Sequence, residues 1–263
     1  MSYTVGDYDL RDIQKVMADM MADIDRVCSE NKLRYILDGG TMLGAVRHNG
    51  FIPWDDDLDI AMPRDDYEKF IDIANSKLNS NYRFQCYENT KEYPYNFGKV
   101  RAVNTLYREE LTGSLKINHG IYIDVFPMDY VDIKKPKGLT FVQKQIAHLT
   151  QLRYAKLGLC KGLKYIPFKI LPLSTINKLL SKLMKYRLSC PENYVQKLCH
   201  FGKNKPPINI SLFNDVIRVP FEEYQFNIPC GYDAFLKDRY GDYMTLPPPE
   251  ERQPVHEIKE IRL

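Results

Sequence analysis

Between Lys134 and Pro191 the chain contains no aspartate and no glutamate. The same stretch carries thirteen of the 37 lysines and arginines, which leaves 24 basic against 34 acidic residues elsewhere, a balance of −10. The small net charge of +3 therefore hides two oppositely charged regions. Other shortages narrow the class. No apolar run is long enough to cross a bilayer, and Met1–Asp7 has no apolar core of a secretion signal. A cytoplasmic protein is expected on that basis. Six cysteines, at 28, 86, 160, 190, 199 and 230, are sparse for a disulfide scaffold and are expected to be reduced. Cys190, Cys199, His200 and Cys230 lack the short Cys-x-x-Cys spacing of a zinc knuckle. No helix-turn-helix, zinc-finger or RNA-binding signature accompanies the basic stretch, so nucleic acid is not an expected partner. With 263 residues and 44% hydrophobic content, the chain can bury the core of one large domain, or of a domain with an insertion.

What is present centres on Leu37–Pro63, which reads LDGGTMLGAVRHNGFIPWDDDLDIAMP. Tyr35-Ile36-Leu37 is a short strand candidate, followed by Gly39, Gly40 and a helix from Thr41. The glycines let a backbone approach an anion, and the helix start directs free N–H groups at it. In an extended segment Asp55, Asp57 and Asp59 share one face, while Asp56 and Leu58 share the other. Three carboxylates on one face repel one another, and a hard divalent ion such as Mg²⁺ or Mn²⁺ would resolve the conflict. The plain alternative is a solvated acidic turn. A phosphate cradle beside a metal-binding carboxylate set points to phosphoryl transfer from a diphosphate donor.

Around this segment, Leu10 to Val27 has the spacing of an amphipathic helix capped by Asp9. A second helix is expected over Asp65–Leu78, capped by Asp65 or Asp66. Tyr82–Cys86 and Phe97–Val103 read as strands. Lys99 and Arg101 share one face of the latter, either toward donor phosphates or toward solvent. Ile121–Phe126 is an apolar strand interrupted by Asp124, a carboxylate that must be paired, hydrogen-bonded or metal-bound if buried. Asp129, past Pro127, is expected in a loop. Helical periodicity runs through Leu139–Leu157 and Ile176–Leu188 around an apolar, proline-broken Tyr165–Leu173. This basic region suits an anionic surface, either a membrane face or a polyanionic acceptor; otherwise it is a helical subdomain with a wet basic side. Strands are expected over Phe213–Val219 and Glu222–Phe226, and a helix over Tyr232–Tyr240 ending at Gly241. His256 is either an acid–base group at the site or a surface residue.

Strand, Gly-Gly, helix and then Asp57-Leu58-Asp59-Ile60 resembles the nucleotidyltransferase superfamily signature. More narrowly, Gly39 to His48 running into Gly50 to Asp59 resembles the LicD family, which includes bacterial phosphocholine transferases and, more distantly, fukutin and fukutin-related protein. Gly120 to Pro127 is similar to the family's second acidic strand. Tyr240-Gly241-Asp242-Tyr243-Met244 with Leu246 to Pro249 is similar to its C-terminal signature. The resemblance implies an α/β (α+β) fold with a nucleotidyltransferase-like mixed sheet flanked by helices. Residues 1–133 would form the catalytic core, 134–207 the basic helical insertion, and 208–263 the strands, helix and proline-rich segment that complete the core. It implies Mg²⁺ or Mn²⁺ on Asp57 and Asp59 with Asp55 or Asp124, Asp124 being the superfamily's third carboxylate. Gly39, Gly40, Thr41, Arg47, His48, Lys99 and Arg101 are candidates for the donor phosphates. Asp56 and His256 are outer candidates.

The implied reaction is transfer of an alcohol phosphate, with phosphocholine from CDP-choline first. The implied acceptor is an anionic cell-surface glycan or its lipid-linked precursor, met in the cytoplasm or at the inner face of the cell membrane. A choline ammonium needs aromatic faces, and Trp54, the sole tryptophan, is either that partner or core packing. Transfer of a polyol phosphate, nucleotidyl transfer from a nucleoside triphosphate, and a non-catalytic module that binds polyanions or membranes are the alternatives.

Overall fold

The computed structural model describes residues 3–160, 171–185, 193–199 and 206–263. A short hairpin, β1 (Thr4–Val5) and β2 (Tyr8–Asp9), leads into α1 (Leu10–Glu30). Asp9 caps α1, its carboxylate accepting from the Arg11 backbone N–H at 2.9 Å. Leu10, Ile13, Met17, Met20, Met21 and Ile24 lie on one stripe of that helix and are fully buried. There follow β3 (Ile36–Leu37), α2 (Gly39–His48), β4 (Asp59–Pro63), α3 (Arg64–Lys77), β5 (Tyr82–Gln85), β6 (Gly98–Ala102), β7 (Leu106–Glu109) and β8 (Tyr122–Tyr130). Next come α4 (Pro136–Lys156), α5 (Leu173–Met184), β9 (Tyr194–Gln196), β10 (Ile208–Asn209), β11 (Val216–Phe221), β12 (Tyr224–Pro229), α6 (Tyr232–Tyr240) and β13 (Ile258–Arg262).

The architecture is the expected mixed α/β one. A central sheet runs β10-β9-β8-β4-β3, and β6, itself paired with β5, also joins β8. Only β4 and β8 run parallel; the other pairs are antiparallel. β8 is the axis, buried along nearly its whole length. The main core packs α1, α3, the central sheet and the β11–β12 hairpin together. A second cluster joins Ile146, Leu152, Ile176, Leu180 and Met184 of α4 and α5 to Tyr87, Tyr93 and Val131.

Four expectations change. The helix after β4 begins at Arg64 and has no side-chain cap; Asp65 and Asp66 sit in its first turn and pair with Arg34. Asp129 is not in a loop. β8 continues through Pro127, and Asp129 is fully buried against the Arg64 guanidinium at 2.7 Å. The hairpin late in the chain begins at Val216, with Phe213 in a 3₁₀ turn before it and Pro220 inside β11. The stretch 134–207 is not helical throughout, since β9 extends the central sheet. Most of Tyr165–Leu173, together with Cys190 and His200, lies outside the described residues. α6 matches its expected bounds and ends at Gly241, whose φ of +67° suits a residue without a Cβ. Among the described residues no helix is long and apolar enough to cross a membrane.

Candidate active site

The sheet register assembles the site. Asp59 on β4 is the Cα partner of Asp124 on β8, and Asp124 is in turn the partner of Lys99 on β6. Directly opposed residues project to the same face of a sheet, so the three form a row across three strands. The Lys99 ammonium lies 2.9 Å from Asp124 Oδ1 and 3.7 Å from Glu109 Oε1 on β7. Asp57, Asp59, Asp124, Lys99 and Glu109 line a cavity of about 290 Å³.

The segment before β4 alternates as its sequence requires. Asp57 and Asp59 face the cavity, whereas Asp56 and Leu58 are completely buried. Asp56 accepts from the backbone N–H groups of Val255 (3.3 Å) and His256 (3.1 Å) and from the Tyr107 hydroxyl (3.5 Å). It also lies 3.0 Å from His256 Nδ1. Asp56 thus ties down the C-terminal segment, and the β7–β13 pairing holds that segment from its other end. His256 lines the cavity with Nε2 3.9 Å from Asp57 Oδ2. Burial alone would lower its affinity for a proton, but Asp56 and Asp57 outweigh burial and lift its pKa to about 9. The two carboxylates thus favour its protonated form, and it is a site residue rather than a surface one.

The turn from β3 to α2 brings the backbone against the same carboxylates. Gly39 has φ of +58°, and a Cβ on Gly40 would stand 2.9 Å from Asp55 Oδ2. Thr41 spends its hydroxyl accepting from the Asp59 backbone N–H at 2.8 Å. Asp38, preceding the helix, is buried between Lys197 and Arg239. Burial would push its carboxyl up, but the two cations hold it at about 2.

The carboxylates of the row are in charge conflict. Burial and then Asp57 and Asp124 push Asp59 well above the usual carboxylate range, against Lys197. Burial and then Asp55 raise Asp57, with His256 opposing. Burial raises Asp124 against the pull of Lys99 and lifts Asp55 to about 7. Among the described residues, Asp55 Oδ2 and Asp59 Oδ1 are buried with no hydrogen-bond partner.

Not every candidate converges. Arg101 is fully buried behind the row, donating to Gly120 O and Glu109 at 2.9 and 3.3 Å, and does not line the cavity. Arg47 donates to Tyr243 O (2.9 Å) and His48 Nε2 (3.0 Å), and neither residue lines the cavity. Trp54 also stays outside it, its ring packed near Tyr3, His48 and the Arg252 guanidinium. The aromatic lining comes instead from Tyr95, Phe97, Phe126 and Tyr154. Sequence reasoning missed these residues, as well as Glu109 and Lys197. A signal existed for two of the rings, because Tyr95, Phe97, Lys99 and Arg101 alternate along one extended face. For Lys197 there was none.

Residues 32–175 match the nucleotidyltransferase domain described as LicD/FKTN/FKRP. Over 94% of its length the chain is 31% identical to the lipopolysaccharide cholinephosphotransferase LicD of Haemophilus influenzae, covering 96% of that protein. Shorter matches reach uncharacterized proteins of Rickettsia typhi, 39% identical over 25% of this chain and 21% of the relative, and of Rickettsia prowazekii, 47% over 18% of each.

Proposed function

Since the chain belongs to the LicD family, we propose that it transfers phosphocholine from CDP-choline to a lipopolysaccharide-type glycan or its lipid-linked precursor. The Asp59–Asp124–Lys99 row carries this reading, because it sets anionic oxygens beside a fixed cation on the wall of one cavity.

The donor set fits a hard divalent ion. Two buried carboxylate oxygens lack any hydrogen-bond donor, and their neighbours raise one another's proton affinity. Among the described residues no group of three or more acidic, thiol or imidazole side chains is placed to hold a metal ion by itself. Mg²⁺ does not need one, since it takes one or two carboxylates and completes its shell with phosphates and water. Asp57 and Asp59 would hold Mg²⁺ or Mn²⁺, with Asp124, paired to Lys99, beside them on β8. The ion supplies positive charge for the donor's phosphates.

The chain's own residues do the rest. Lys99, pinned by Asp124 and Glu109, adds a fixed positive charge at the cavity, and the His256 ring, held by Asp56, faces it from the other side of Asp57. The acceptor hydroxyl oxygen attacks the phosphorus that bears choline. The bond from that phosphorus to the bridging oxygen breaks, and cytidine monophosphate leaves with the electron pair. The acceptor's proton passes to a carboxylate oxygen of the cluster that the ion leaves unligated.

The acceptor side is the basic one. Lys134, Lys135, Lys137, Lys144, Lys156, Lys178 and Lys182 are exposed, as are Phe141 and Leu179. This mixture of lysines and apolar groups suits an anionic glycan or the inner face of a membrane carrying a lipid-linked one. Incubation with CDP-choline, Mg²⁺ and a choline-free lipooligosaccharide tests the reading. Release of cytidine monophosphate with phosphocholine on the glycan is expected. Pyrophosphate release from a nucleoside triphosphate, with nucleotide left on the target, would replace it with nucleotidyl transfer.

A further inference from the structure

One half of the cavity is unused by the chemistry above. It is the aromatic half, formed by Tyr95, Phe97, Phe126 and Tyr154. The rings of Tyr95 and Phe97 stack at 5.0 Å and 26°, and Phe97 meets Phe126 at 4.6 Å and 48°. The wall is held from behind. The Tyr95 hydroxyl donates to Glu109 Oε1 at 3.1 Å. The fully buried Arg153 of α4 donates to the carbonyls of Pro94 and Tyr95 at 3.2 and 2.8 Å. The next residue on α4 is Tyr154, so one helix both braces the wall and contributes to it.

These rings already attract cations. The Lys99 ammonium lies 4.9 Å from the Tyr95 centroid and 5.7 Å from that of Phe97, and the Lys197 ammonium 3.8 Å from that of Phe126. Both lysines are neutralised by carboxylates, Lys99 by Asp124 and Glu109 and Lys197 by Asp38.

We infer that Tyr95, Phe97, Phe126 and Tyr154 form the subsite for the donor's head group, and that they select a quaternary ammonium over a primary ammonium or a polyol. The inference rests on the phosphocholine reading above. The selection follows from hydration. A trimethylammonium has no N–H donors and meets ring faces without losing hydrogen bonds. A primary ammonium or a row of hydroxyls would leave its donors facing carbon. The donor would lie with phosphates at the carboxylate end and methyl groups at the ring end.

Calorimetric titration of the full chain with Mg²⁺ tests this and needs no acceptor. CDP-choline should bind about tenfold or more tightly than CDP-ethanolamine. Phe97→Leu and Tyr154→Leu should each weaken CDP-choline by up to about tenfold while leaving cytidine monophosphate unchanged. Phe97→Tyr should retain the wild-type preference. Should a leucine variant not fold, tetramethylammonium offered to the wild type should compete with CDP-choline and not with cytidine monophosphate. Equal binding of the two CDP-alcohols, or leucine variants that lose both ligands alike, would overturn the inference and leave the donor reading standing. Binding of CDP-ribitol without binding of CDP-choline would overturn both.

Discussion

Asp124 and Asp129 stand five residues apart on β8, and the odd spacing sends them to opposite faces. Asp124 looks into the cavity; Asp129 closes on Arg64 in the core. Their substitutions should therefore fail differently. Asp129→Ala leaves the buried Arg64 guanidinium with only the half-buried Glu68 as a partner and should cost about 3 kcal/mol of stability, read as a lowered denaturant midpoint. Asp57→Asn does the reverse. It removes a charge from a crowded, repelling set, so the metal-free protein should melt no lower than wild type. Turnover should nevertheless fall by on the order of 10²–10³ or more. Normal turnover in that variant would remove Asp57 from the reaction.

At the scale of elements, the alternation of Asp55 to Asp59 and the strand around Asp124 were legible because period-two patterning fixes which side chains share a face. The glycines at 39 and 40 were legible as a close approach, although it is the carboxylates of Asp59 and Asp55 that come near them. Gly40→Ala would press a methyl against Asp55 Oδ2 and should lower activity well beyond its effect on melting, measured side by side. Asp129 was misread because Pro127 looked like a strand end. The ladder to β6 covers only Tyr122–Val125 of β8, so that pairing has already stopped before the proline. His256 was legible only as an open choice between site and surface, and Lys197 was not legible at all. Each reaches the site through a pairing distant in sequence, β13 on β7 and β9 on β8. Local pattern carries no record of such pairings. Asp56→Ala should therefore release the C-terminal segment, seen as faster proteolysis beyond Pro248 together with reduced activity.

For the whole molecule, charge segregation decides both surface and stability. The acid-free stretch is not simply a basic coat, since Arg153 is buried within it and Lys185 pairs with Glu68 and Glu88. Among the described residues, seven of its lysines are exposed. Reversing Lys137, Lys144 and Lys178 to glutamate should weaken binding to anionic vesicles at low salt while leaving CDP-choline binding unchanged. Acid should unfold the protein through two carboxylates in particular. Asp38 and Glu109 are both held at about 2, against burial, by Lys197 and Arg239 in one case and Lys99 and Arg101 in the other. A depressed carboxylate contributes stability above its unfolded value, and that stability is lost as pH falls toward the folded one. Melting temperature should drop between about pH 4.5 and pH 2, with about 2–3 kcal/mol at stake for each group. Asp38→Asn should flatten its share of that drop.

On the proposed reading, buried carboxylates of β4 and β8 take a divalent ion together with a CDP-alcohol. Thermal melting with CDP-choline, with and without Mg²⁺ or Mn²⁺, tests it most directly. Ligand at about 100 times its dissociation constant stabilises the folded state by roughly 2.7 kcal/mol. The melting temperature should rise by a corresponding amount when cation and CDP-choline are present together, and Asp59→Asn should abolish the rise. An equal rise without cation, an undiminished rise in Asp59→Asn, or a response to CTP alone would contradict it.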